Sequence, residues 1–151
     1  MEAKIYLRQI EKLDSQIKNK LSEAERLGLI ATGTTMKFES ERVQSSGSKH
    51  TMENAICRKL DIENEVVEEV QRLFLIRQKI IHDIDQLPIN EYEVIYRKYV
   101  EYKELYEIAC DVGKSYSWVT SVHSRGLANI QKQLNEREHE RENDVNSRQE
   151  M

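Results

Sequence analysis

Apolar residues recur at steps of three and four along most of this chain, a spacing that predicts helices rather than strands. Leu7, Ile10, Leu13, Ile17, Leu21, Ala24 and Leu27 form one stripe among charges and predict a first helix over about 3–29. Gly28 and the run 31–35 predict its end, and residues 31–50, polar and rich in Gly and Ser, predict a flexible loop. A second helix is expected over about 52–86, with a stripe through Ile56, Leu60, Val67, Val70, Leu73, Ile80, Ile84 and Leu87. From Val66 the positions 66, 70, 73, 77, 80, 84 and 87 alternate steps of four and three with Arg77 the only polar member, which is a short heptad seam. Burying both stripes predicts an antiparallel, coiled-coil-like helical hairpin over 1–86, with a homodimer as a way of doubling it. The alternative, one long helix packed only on the C-terminal part, would leave the first stripe without a partner.

Leu87 and Pro88 predict the end of the long helix, because proline disfavours helical geometry in the residue before it. Asn90 with Glu93 three residues on predicts an N-cap with a capping box. A third helix over about 91–100 should bury Val94, Ile95 and Tyr99. A short helix near 103–110 and a longer one near 116–134 follow. Between these two the spacing is specific. Ile108 and the small Ala109 lie on the inner face of the first; Gly113, four residues later, suits a turn that needs positive φ. Ser115 can cap the next helix, and Val119 and Val122 point back toward the first. This arrangement predicts a helix-turn-helix over 87–134 with its second helix in the major groove of DNA. Residues 135–151 hold only Val145 and Met151 as apolar residues and predict a charged, disordered tail. The fold class expected is all-α.

Composition changes this picture in one respect. The net charge of −4 opposes nucleic-acid binding, but the distribution does not: from Val112 to Leu134 there is no Asp or Glu, only Lys114, Arg125 and Lys132. Asp61, Glu63, Glu65, Glu68 and Glu69 form an acidic run on the long helix, either a solvated face or a contact for a basic partner. Cys57 and Cys110 lack metal-type spacing and read as buried or half-buried free thiols in a reducing cytoplasm. The N-terminus has no signal-peptide core, and no segment approaches the roughly 20 apolar residues of a membrane span. His50, His82, His123 and His139 share no ligand spacing with each other or with cysteine, so no metal is expected. Gly113, Lys114 and Ser115 imitate the end of a phosphate-binding loop, but the glycine it needs at 108 is Ile108 and the preceding strand is missing. Neither a cofactor nor enzyme activity is expected.

Leu87, the runs Glu91–Tyr99, Leu105–Ala109 and Val112–Ser115, Val119 and His123–Leu127 resemble region 4 of bacterial sigma factors, which reads the upstream promoter element. Placed behind a helical hairpin, such a module resembles small phage and prophage transcriptional regulators. Gly126 stands where the family usually has Ala, at a helix-propensity cost of up to about 1 kcal/mol. The resemblance implies a cytoplasmic, sequence-specific regulator that binds double-stranded DNA, with the hairpin serving self-association or RNA polymerase contact. Its recognition helix starts after Ser115, with Val119, Val122, Gly126 and Ile130 facing inward. Ser117, Thr120, Ser121 and Ser124 face outward toward base edges, or are plain solvated surface. Lys114, Tyr116 and Arg125 lie where phosphates run, or for Arg125 a guanine edge, and Ser115 at the helix start counts with them among the DNA-binding residues. Tyr116 and Trp118 either pack to orient the helix or touch DNA. The alternative functions are a small-terminase-like DNA-packaging component and a polymerase-docking protein that does not read DNA itself.

Overall fold

The computed structural model describes residues 1–38 and 48–149, and these form five α-helices and no strand: α1 Ala3–Phe38, α2 Ser48–Asp85, α3 Ile89–Tyr99, α4 Leu105–Val112 and α5 Tyr116–Gln149. None of them is long and apolar enough to cross a membrane. α1 outruns its expected end and continues through Phe38, and α2 begins at Ser48, so both flanks of the expected loop are helical; its centre, 39–47, lies outside the described residues. A glycine ends a helix when it turns left-handed, and Gly28 does not. Inside a helix it only weakens the run, by about 1 kcal/mol.

The chain forms two compact units: Leu13–Leu75, and Met1–Lys12 together with Ile76–Met151. In the unit Leu13–Leu75, Lys20 on α1 pairs with Glu69 on α2 at 3.1 Å. Val66 is buried and Val70 and Leu73 are half-buried, while Ile56, Leu60 and Val67, placed in the same stripe by sequence, are about half exposed. At 100° per residue Val67 sits a quarter turn round from Val66, so the two cannot face the same neighbour. Leu21 is also exposed, and the side chain of Leu27 lies outside the described residues. Cys57 and Cys110 are both exposed free thiols, not buried ones. Cys110 follows the buried pair Ile108 and Ala109 and so turns off the inner face of α4.

The second unit gathers the first turns of α1, the end of α2 and the three remaining helices. Leu7, Ile10, Ile80, Ile84 and Leu87 are buried, completing the heptad seam at its C-terminal end. Here Tyr6 on α1 donates its hydroxyl to Asp83 on α2, and Arg137 on α5 pairs with the same carboxylate at 2.6 Å. Burial, and then the bond to Asp83, pushes the Tyr6 phenol up to about 12. The backbone N–H of Ala3, one of the free donors at the start of α1, is capped by Gln131 on α5 at 2.8 Å. These contacts explain why α5 extends to Gln149 where composition predicts disorder. Leu134 is buried, Arg137 is anchored, and pairs such as Lys132–Glu136 run along the helix.

α3 starts earlier than its polar residues suggest. Its N-cap is Pro88, without a side-chain cap, and Tyr92 N–H already bonds the Pro88 carbonyl at 2.8 Å. Proline's fixed φ suits the extended residue before a helix, so Asn90 and Glu93 both fall inside the helix and form no box. Glu91 is buried against α5 and accepts from Asn129 at 2.6 Å. Beside it Gly126 lets α5 close on α3: a Cβ there would stand 2.6 Å from Cγ1 of the fully buried Ile95. The glycine that costs helix propensity is thus the residue that permits this crossing.

Two substitutions test this packing by chemical denaturation. Gly126→Ala should lower stability by about 1 kcal/mol, since overpacking typically costs 1–3 kcal/mol and outweighs the propensity gained. Arg137→Met should cost about 3 kcal/mol by stranding the Asp83 carboxylate, and Asp83→Asn in the same background should recover part of that loss.

Candidate nucleic-acid interface

α4 and α5 are joined by a three-residue turn, Gly113–Ser115, and each of its parts has a physical cause. Gly113 closes α4 in the left-handed conformation, φ 63° and ψ 35°, and the Lys114 N–H returns to the Ala109 carbonyl at 3.1 Å. Ser115 accepts the Trp118 N–H on its hydroxyl at 3.1 Å, capping α5. Behind the turn Val94, Ile108, Ala109, Val119 and Val122 form a buried cluster flanked by Leu105, Val112 and Trp118. Trp118 is therefore a packing residue, and Lys114 lies over its ring at 5.8 Å. At the front of α4, Glu107 accepts the Glu104 N–H at 2.7 Å.

The eight residues singled out by sequence fall on this turn and the first turns of α5. Ser117, Ser121, Ser124 and Arg125 recur at helical spacing and are all exposed; Thr120 is half-buried at the edge of the same face. Lys114, Ser115 and Tyr116 are exposed at its start, Tyr116 by 57%. The hydroxyls are partly engaged. Ser121 donates to the Ser117 carbonyl at 2.9 Å, Thr120 to the same carbonyl at 2.9 Å, and Ser124 to the Thr120 carbonyl at 3.0 Å. In this state each has its oxygen lone pairs to offer and must rotate to donate.

Charges divide just as clearly. Arg97 pairs with Glu93 and Asp111, Lys98 with Glu104 at 2.9 Å, and Lys103 with Asp111 at 2.7 Å. The bond to Lys103 holds the Asp111 carboxyl below its ordinary range. Among the described residues Lys114, on the turn, and Arg125, on the outer face of α5, have no carboxylate partner. No cluster of His, Cys, Asp and Glu fit for a metal ion occurs among the described residues.

Two features had no signal in the sequence. His123 stacks on Tyr99 with centroids 5.8 Å apart, its Nε2 lying 3.1 Å from the tyrosine hydroxyl. Gln131 also donates to the Met1 carbonyl at 3.0 Å, so the start of α1 is part of this module. Both are meetings of residues distant along the chain, which periodicity does not report.

Burial first, then Lys98 and Lys4, lowers the His123 pKa below its ordinary 6.5. Unfolded, the ring takes up a proton near pH 6.5; folded, it resists until lower pH, so the unfolded state binds more protons in between and stability drops as pH falls through that window. Unfolding curves from about pH 8 to about pH 5 should show His123→Gln losing less stability than the wild type as pH falls.

Compared with family models, curated proteins and solved structures, the chain shows no match.

Proposed function

We propose that this protein is a double-stranded-DNA-binding transcriptional regulator that places α5 in the major groove through a helix-turn-helix built from α4, Gly113–Ser115 and α5. One observation carries the reading. The exposed face of the capped helix α5 presents Ser117, Ser121, Ser124 and Arg125 with no acidic residue from Val112 to Leu134, and neither Arg125 nor Lys114 on the turn has a carboxylate partner among the described residues. A duplex groove edged by phosphates is the partner that such a face fits.

The N-terminal helices act as an antiparallel hairpin for self-association or contact with RNA polymerase. In each unit an early α1 position meets a late α2 position, Tyr6 with Asp83 and Lys20 with Glu69, as a hairpin requires. Serine and threonine hydroxyls bonded to their own helix give tolerant base contacts, so a single α5 reads a short motif with modest discrimination.

Selection from a random duplex pool tests the reading. The intact protein should enrich a short motif, and Ser121→Glu with Arg125→Glu should abolish it. A folded intact protein that enriches nothing overturns the regulator reading and leaves polymerase docking or DNA packaging as the alternatives.

A further inference from the structure

We propose that Lys4 and Arg8, on the first turns of α1, form a second phosphate-binding edge that flanks α5 on bound duplex; this rests on the DNA-binding reading above. Sequence order puts these residues in a different part of the chain from the recognition helix. The contacts of this unit bring them beside it.

Along α5, Ser124, Ala128, Gln131 and Asn135 recur at steps of four, three and four and so share one edge. Gln131 receives the Ala3 N–H at 2.8 Å, donates to the Met1 carbonyl at 3.0 Å, and bonds Asn135 at 2.9 Å. α1 therefore begins on the edge that Ser124 borders. Leu7 and Ile10 are fully buried, while Lys4 and Arg8, one turn apart, are both exposed beside that buried stripe. Neither has an acidic partner among the described residues.

Electrostatics agree with this placement. Lys4 and Lys98 disfavour the charged form of the half-buried His123, and Arg8 acts on the hydroxyl of Tyr99, which His123 stacks upon. Positive charge thus gathers over the Tyr99–His123 stack. Lys98 is committed to Glu104, which leaves Lys4 and Arg8 as the free cations of that edge. The phosphates that they fit belong to the backbone of a duplex already seated against α5, since a basic edge alone carries no base-reading groups.

The test is the salt dependence of binding to a fluorescent mixed-sequence duplex by the full chain. Lys4→Gln with Arg8→Gln is compared with Lys18→Gln and Arg26→Gln, exposed α1 positions in the other unit that remove the same charge. Thermal melts confirm that both doubles stay folded. The Lys4/Arg8 double should make the slope of log K against log salt shallower by about 1.8, from about 0.9 per phosphate contact, while the control leaves it unchanged. Equal slopes in wild type and the Lys4/Arg8 double, or the same loss in both doubles, overturn the second edge and leave the α5 reading standing. No duplex binding by the intact protein overturns both.

Discussion

A buried carboxylate sets the terms for the unit formed by Met1–Lys12 and Ile76–Met151. Asp83 is 5% exposed, and an isolated charge at that depth is costly enough to neutralise or to move the chain around it. It is held by Arg137 at 2.6 Å and by the Tyr6 hydroxyl, groups that come from two other helices. Such a cluster adds little net stability compared with an apolar filling, because desolvation offsets the attraction. What it does supply is register. Only one placement of α1, α2 and α5 brings all three groups together, and any slip leaves a charge without a partner.

That constraint reaches the candidate interface through the continuity of α5. The helix that is capped by Ser115 at one end is tied by Leu134 and Arg137 further on. Between them Val119, Val122, Gly126 and Ile130 hold its inner face against the other helices, so the outer face has a fixed direction. Gly126 is decisive because packing at this density has no room for a methyl group beside Ile95. A preorganised helix presents its contacts without the ordering cost that a flexible segment would bear.

Much of this was legible in the sequence, and the divide follows the range of the forces involved. The buried seam positions Val66, Ile80, Ile84 and Leu87 and the burial of Val94, Ile95 and Tyr99 follow from apolar spacing along one helix, and the left-handed Gly113 and the Ser115 cap depend on neighbours within a turn or two, all of which sequence encodes. Ile56, Leu60 and Val67 misled because apolar residues a quarter turn apart look alike in a list of periodic positions. The helical course of α5 beyond Leu134 was hidden because its anchor, Asp83, is more than fifty residues away. Gly126 read as a weak point for the same reason: its value lies in Ile95 on another helix. At the site, the sequence located the exposed face, while the self-bonded hydroxyls and the nearby start of α1 emerged only from the packing.

The sign of the whole chain says little about what it binds. Net charge is −4, yet the acids are spent in particular places: Asp111 takes Arg97 and Lys103, Glu104 takes Lys98, and Glu69 takes Lys20. Fields at a surface are set by the charges within about one Debye length, roughly 8 Å at physiological salt. On the turn and the outer face of α5 stand Lys114 and Arg125, with no carboxylate paired to either among the described residues. Two free cations and a set of hydroxyls supply attraction and tolerance rather than stringent discrimination. A regulator built this way gains selectivity by adding contacts beside the groove or by pairing with another protein, more than by sharpening any one side chain on α5.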